Sequence, residues 1–144
     1  MSQYAATNPV RELDNASVAL AVLPLVGRIL ISAIFLLSGI SKIAAPAAMI
    51  GYITSAGLPL PQAGLAIAII VEVAGSIALI LGFHARWTAA ILAIFTIATA
   101  LAFHNKLSDQ DQFIHFFKNI AMTGGLLQVV AFGAGRFSLD ARRH

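Results

Sequence analysis

Apolar residues occur along this 144-residue chain in long runs that short polar segments separate. A transmembrane helix needs about 17–25 consecutive, mostly apolar residues. Four runs meet this requirement with no more than one Lys, Arg, Asp or Glu in each, at residues 19–41, 62–83, 87–103 and 113–134. The pattern therefore predicts an all-α membrane protein, in which four transmembrane helices form one bundle.

The segments around these runs complete the predicted organisation. Residues 45–61 are too apolar for an ordinary solvated loop, so we predict a short interfacial helix between spans one and two, with Tyr52 at headgroup level. The Gly57-Leu-Pro-Leu-Pro61 turn ends it. The predicted parts are a polar N-terminal segment with little need for fixed structure (1–18), a membrane domain (19–135) and a tail (136–144).

Composition supports the membrane assignment and excludes several kinds of site. Hydrophobic residues make up 59% of the chain and charged residues only 10%, whereas soluble domains carry about 25% charged residues. The absence of cysteine excludes disulfides and thiolate metal sites. No His-x-x-His or Glu-x-x-His motif predicts a metal site, and no basic stretch with interleaved aromatic residues predicts nucleic-acid binding.

The distribution of Lys and Arg predicts the orientation of the chain in its membrane. With four spans, the N-terminus, the second connection and the tail share one side. That side carries the larger number of basic residues: Arg11, Arg86, Arg136, Arg142 and Arg143. The other side carries Lys42 and Lys106, and basic residues concentrate in cytoplasmic loops. Both termini are therefore predicted to be cytoplasmic.

Two charged residues of opposite sign lie deep inside predicted spans. At 1.5 Å per residue, Arg28 is roughly 12 Å and Glu72 roughly 15 Å from the cytoplasmic side. A charge in hydrocarbon is costly unless it is paired or hydrated. We therefore predict a buried Arg28–Glu72 ion pair. The sequence leaves open whether the pair only fixes the helix register or takes part in function.

A second group of polar residues lies near the outer ends of spans one, three and four. Its members are Lys42, His104, Lys118 and Asn119, and the aromatic residues that could wall a cavity beside them are Phe35, Phe103 and Phe117. Polar groups that converge in an apolar concavity are typical of a small-molecule site. The alternative, equally compatible with the sequence, is that these residues end their helices and reach the lipid headgroups.

An ordered series of short motifs from residue 28 to residue 140 resembles the DoxX family of small bacterial membrane proteins. The series contains Arg28-Ile-Leu, Phe35-Leu-Leu-Ser-Gly39-Ile-Ser-Lys42, Pro46, Tyr52, Gly57-Leu-Pro59-Leu-Pro61, Glu72, Gly75, Leu81-Gly82, Arg86, His104, Phe117-Lys-Asn119, Gly124-Gly-Leu-Leu127 and Gly133-Ala-Gly135-Arg-Phe-Ser-Leu-Asp140. Each motif is short, and the specificity lies in their order.

The resemblance implies a four-helix membrane protein and suggests a redox context. Related proteins are similar to the small subunit of thiosulfate:quinone oxidoreductases, and some members are linked to oxidative-stress complexes with soluble redox partners. The first hypothesis is therefore a membrane subunit that holds a quinone or similar lipid-soluble molecule among Arg28, Glu72, His104 and Lys118. The second is a non-enzymatic membrane scaffold or small transporter. The sequence leaves open whether the chain itself is catalytic.

Overall fold

The computed structural model describes residues 9–143, with side chains from residue 17 onward, so the first eight residues of the predicted N-terminal segment lie outside it. The described part of the chain is all-helical and contains no strand. Its elements are α1 (Pro9–Ala44), α2 (Pro46–Ser55), α3 (Pro61–Leu81), α4 (Ala85–Phe103), α5 (Gln110–Phe132) and a 3₁₀ turn (Asp140–Arg142).

Three of the helices are long and apolar enough to cross a membrane. They are residues Ser17–Ala44 of α1, the whole of α3 and the whole of α4. Helix α5 occupies the position of the fourth predicted span, but it carries Lys118, Asn119 and Gln128 and does not reach the same apolarity. Helix α2 is a separate short helix between the first two spans.

The N-terminal boundary of α1 differs from the prediction. The helix begins at Pro9 and therefore includes residues 9–18 of the polar segment, for which the sequence predicts little need for fixed structure. No glycine or proline occurs between Pro9 and Pro24 to end the helix. Because helix propagation is cooperative, a span that is already helical extends into a polar flank that has no breaker.

Local residue chemistry explains the other helix boundaries. Pro46 and Pro61 each occupy the first position of a helix, where the fixed φ of proline suits the helix and its missing N–H is not needed. Helix α3 ends at Gly82, which has a φ of 66°, a left-handed conformation that glycine adopts without a steric cost. At the start of α5, the side chain of Asp109 accepts a 2.9 Å hydrogen bond from the Gln112 N–H.

The helices pack around a buried cluster of large and small apolar residues, and many other large apolar residues lie on the outside. The buried cluster contains Phe35, Leu79, Ala89, Leu92, Ala93 and Leu126. A Cβ added to Gly39 would lie 2.6 Å from Val73 Cγ2, so α1 and α3 are in close contact there. The outer faces expose Leu20, Leu30, Ile70 and Ile94. An apolar exterior of this kind suits contact with lipid rather than water.

The C-terminal residues fold back over the turn between α3 and α4. The N–H groups of Leu139 and Asp140 donate 3.0 Å hydrogen bonds to the carbonyls of Leu81 and Gly82. The carboxylate of Asp140 accepts hydrogen bonds of 2.8 Å from the N–H groups of His84 and Ala85. The tail therefore caps the N-terminus of α4, which has no side-chain cap of its own.

Candidate functional site

Arg28 is buried at the end of α3, and the predicted Arg28–Glu72 ion pair does not form. The Arg28 side chain is 1% exposed, and its guanidinium donates 2.9 Å hydrogen bonds to the carbonyls of Leu79 and Ile80. It also donates to the carbonyl of Phe137 in the tail. The last carbonyls of a helix lack partners within that helix and carry partial negative charge. Arg28 therefore neutralises a helix end instead of a carboxylate.

Glu72 is paired with Lys42, which sequence analysis had assigned to the outer group. The Lys42 Nζ lies 2.9 Å from Glu72 Oε2 and donates to Oε1 at 3.0 Å. Ser38 completes the arrangement, because its hydroxyl donates to Glu72 Oε1 at 3.2 Å and accepts from Lys42 Nζ at 2.7 Å. We call these residues the Ser38–Lys42–Glu72 cluster. It contains the only salt bridge whose side chains the structure describes.

The positions of the residues along α1 and α3 explain why Glu72 pairs with Lys42 rather than with Arg28. Glu72 precedes Leu79 by seven residues of α3, roughly 10 Å along the helix. Arg28 packs beside the end of α3, whereas Lys42, four helical turns further along the antiparallel α1, lies beside Glu72. The sequence predicted equal depths for Arg28 and Glu72, but the two residues differ by about two helical turns along the bundle. This offset is enough for Glu72 to pair with Lys42 instead of Arg28.

A cavity of about 630 Å³ lies beside this cluster, and residues of all five helices line it. Its polar lining includes the four residues predicted to form a ligand site: Lys42, His104, Lys118 and Asn119. Glu72 and Ser38 also line it, and so do Phe35 and Phe103. The structure thus brings the predicted group to one concavity. Phe117 lies outside the lining and packs its ring against Phe113 and Phe116.

Histidine and lysine side chains form a polar rim between α4 and α5. The His104 ring stacks on the His115 ring with a centroid distance of 5.0 Å. His104 Nδ1 lies 3.0 Å from Gln112 Oε1, and His115 Nδ1 lies 3.0 Å from Lys118 Nζ. The rim is more open than the cluster, since Lys118 is exposed while Glu72 is 5% exposed.

Three residues in or beside the cavity make contacts that the sequence did not predict. Ser38 precedes Lys42 by one helical turn, a spacing that could have identified it. Tyr52, which the sequence predicts at headgroup level, also lines the cavity and stacks its ring on Phe103 with a centroid distance of 5.2 Å. His115 precedes Lys118 by three residues of α5, so this pair also had a helical-spacing signal.

Comparison with known sequences decides the family. The DoxX family profile matches residues 23–105, more than half of the chain. The chain belongs to the DoxX family. It is 31% identical over 140 residues to inner membrane protein YphA of Escherichia coli (strain K12), covering 94% of this chain and 99% of that protein. Inner membrane protein YqjF of the same organism is 34% identical over 116 residues, 81% of this chain and 88% of YqjF.

Membership of the DoxX family agrees with the physical character of the bundle. Apolar helices with lipid-compatible outer faces and relatives named as inner membrane proteins together identify a multi-pass inner-membrane protein in contact with the bilayer. The family resemblance noted from the motifs is confirmed. Comparison with solved structures gave no significant match.

Proposed function

We propose that this DoxX protein is the membrane subunit of a redox-linked complex and that its cavity binds a quinone or similar lipid-soluble molecule. The observation that carries the proposal is the cavity itself, in which apolar and aromatic walls surround a buried ion pair and a polar rim. Its volume of about 630 Å³ falls in the range of small-molecule sites.

The residues present fit a quinone headgroup. Tyr52 and Phe103 offer stacked aromatic surface, while the side chains of His104, Lys118 and Asn119 can donate hydrogen bonds to a ring carbonyl. Lys42 already contacts both oxygens of Glu72 and the Ser38 hydroxyl. We therefore assign the hydrogen bonds to the quinone carbonyl to His104, Lys118 and Asn119 rather than to Lys42.

Within this proposal, Glu72 and Lys42 transfer protons to or from the bound ligand. A bound quinone supplies two-electron, two-proton redox chemistry, and a soluble partner protein would supply the electrons. Glu72 presents a carboxylate to the cavity and Lys42 holds an ammonium 2.9 Å from it. A carboxylate placed in this way can accept or release a proton within hydrogen-bond reach of a ligand. Charged residues at membrane depth commonly mark such relays.

The proposed topology has four spans. Helix α5 contains 23 residues, about 34 Å at 1.5 Å per residue, which exceeds the roughly 30 Å of hydrocarbon in a bilayer. It packs beside α4 and α1, and its polar Asn119 lines the cavity. We assign α2 to the interface on the outer side and both termini to the cytoplasm, following the Lys and Arg distribution.

Equilibrium binding of decylubiquinone to the purified full-length protein tests the proposed site. Ala102 lines the cavity and its neighbour Leu101 is exposed outside the lining. Ala102→Phe should weaken binding by about tenfold or more, the equivalent of about 1.4 kcal/mol, whereas Leu101→Phe should leave it unchanged. Equal affinities in the two variants would place any quinone elsewhere.

The second candidate is a non-enzymatic scaffold or small transporter. The observation that favours it is that Lys42 and Glu72 satisfy each other, as a purely structural pair would. Mass spectrometry of small molecules retained by the gently purified protein separates the two functions. A retained quinone supports the redox function. If the protein retains no quinone and does not bind added quinone, the scaffold or transporter function is supported instead.

A further inference from the structure

A second concavity, of about 640 Å³, lies at the opposite end of the bundle from the Ser38–Lys42–Glu72 cluster. The turn between α3 and α4, the end of α5 and the tail border this open cleft, and its polar lining residues include His84, Arg86, Ser138, Asp140 and Arg143. We propose that this basic cleft binds the phosphate-bearing headgroup of an anionic phospholipid. The inference is independent of the quinone proposal.

Arg86 is an available cation in the cleft. It has no hydrogen-bond or salt-bridge partner among the described residues. Its guanidinium lies against Gly133, where an added Cβ would be 3.5 Å from Nε and 3.7 Å from Nη2. The glycine therefore lets the guanidinium lie close to the backbone at the end of α5. A planar guanidinium without a partner is well suited to a phosphate.

Arg143 is a second cation, and aromatic contacts hold it in place. Its guanidinium carbon lies 4.8 Å from the centroid of the Phe83 ring, and Nη1 lies 3.1 Å from His84 Nε2. These contacts position the side chain but leave most of its five N–H donors for a ligand. Arg86 and Arg143 thus line the same cleft with donors to spare.

The charge balance of the cleft favours an anion. Among the residues that the structure describes, Asp140 is the only carboxylate in the lining, and the N–H groups of His84 and Ala85 already occupy its two oxygens. It forms no salt bridge with either arginine. Two further cations, Arg136 and Arg142, lie in the same tail segment and are exposed. The cations therefore outnumber the carboxylate, and the carboxylate is turned toward the backbone.

The position of the cleft identifies the source of the phosphate as lipid. It lies where two candidate membrane spans, α3 and α4, end and begin. Trp87, in the first turn of α4, lines it and is 74% exposed. Exposed tryptophan at the end of a span is typical of the headgroup region, and basic pockets at that depth bind anionic lipid headgroups.

Native mass spectrometry of the full-length protein with added phosphatidylglycerol or phosphatidylcholine tests the inference. Wild type should retain phosphatidylglycerol in preference. Arg86→Gln should reduce that retention by about 5-fold, and Arg86→Gln with Arg143→Gln by about 30-fold. Lys106→Gln, which removes a charge from the opposite end of the bundle, should change nothing. Arg86 has no hydrogen-bond or salt-bridge partner in the described part of the chain, so the single variant gives a result even if the double variant folds poorly.

Three outcomes would overturn the inference. They are equal retention of the two lipids by wild type, an equal loss in Arg86→Gln and Lys106→Gln, and displacement of phosphatidylglycerol by millimolar inorganic phosphate. The last would identify a site for soluble phosphate rather than for lipid. Retention that depends on Arg86 and resists inorganic phosphate supports the lipid site.

Discussion

The buried charged residues show how single side chains are accommodated in this membrane bundle. Arg28 donates to three backbone carbonyls, and Glu72 accepts from Lys42 and Ser38. Each charge is thus compensated, which the low polarity of the surroundings requires. The two solutions differ in kind, because one uses the end of a helix and the other an ion pair.

Glu72→Gln should destabilise the protein by leaving Lys42 without its counter-charge. Breaking a buried pair costs roughly 3–5 kcal/mol, and we expect about 2–3 kcal/mol because the Lys42 side chain is 19% exposed. The free energy of unfolding in mixed detergent micelles measures the loss. Lys42→Met introduced together with Glu72→Gln should recover most of it. If the double variant is no more stable than Glu72→Gln, the pair does not account for the stability.

At the scale of the elements, close contacts and caps set how the helices meet. Gly39 allows α1 to approach Val73 of α3, and this contact lies one turn from Lys42. The tail contacts the opposite end of the bundle, where Asp140 caps α4 and the Phe137 carbonyl accepts a hydrogen bond from Arg28. The separation of α1 and α3 and the position of the tail are therefore determined by a few residues far apart in sequence.

Gly39→Ala should push α1 and α3 apart. The new Cβ would meet Val73 Cγ2 at 2.6 Å and Glu72 Cβ at 3.3 Å, and overpacking of this kind costs about 1–3 kcal/mol. Gly27, on the same helix, has nothing within 4 Å of an added Cβ. Gly27→Ala is therefore the matched control and should be neutral or stabilising. Unfolding of the two variants under identical detergent conditions provides the comparison, and equal stabilities would contradict the close contact.

Asp140→Asn should destabilise the start of α4, and the effect should depend on pH. Partial burial acts to raise the pKa of Asp140, but hydrogen bonds from the Ala85 and His84 N–H groups and the charges of His84 and Arg143 lower it below its ordinary value of 3.8. The carboxylate therefore contributes stability above pH 3.8, and that stability is lost as the pH falls through the lowered pKa. A lost cap costs about 0.5–2 kcal/mol.

Thermal unfolding of wild type and Asp140→Asn at neutral and acidic pH measures this contribution. The difference in Tm should be largest near pH 7 and should shrink as the pH falls from 3.8, where the unfolded chain begins to bind the proton, through the lowered pKa of folded Asp140. A difference in Tm that stays constant down to the lowest accessible pH would show that the charge of Asp140 does not act as the cap.

At the scale of the whole molecule, the two concavities lie at opposite ends of one bundle. The cavity beside Glu72 involves the first half of α3 and the second half of α4, and the basic cleft lies at the turn that joins these helices. Under the proposed topology, the cavity opens toward the outer half of the membrane and the basic cleft lies at the cytoplasmic headgroups. The molecule would then hold two ligands from different depths of the same bilayer.

Reporter fusions test that topology. A reporter at the C-terminus and one in the loop between α4 and α5, at residues 104–109, should report opposite sides, with the C-terminus cytoplasmic. This result is expected because the side that contains both termini carries five basic residues and the opposite side carries two, and basic residues concentrate on the cytoplasmic side. Reporters that give the same side would mean that α5 does not cross the membrane.

The sequence by itself determined the family, the helical class and three of the spans, because apolar length is a local property that a bilayer reads directly. The sequence also predicted that Lys42, His104, Lys118 and Asn119 lie close together, because residues near the same ends of neighbouring spans share a depth, and all four line one cavity. The family motifs contained Asp140, but nothing in the pattern indicated which backbone groups it would cap.

Tertiary structure alone decided the partners of Arg28, Glu72 and Asp140. Partner choice depends on the axial offset and rotation of two helices, and close contacts such as Gly39 with Val73 set both. A shift of two turns is invisible in hydropathy, yet it gives Glu72 to Lys42 and Arg28 to the carbonyls of α3. The basic cleft likewise exists only because the tail folds back, through hydrogen bonds between residues more than 50 positions apart.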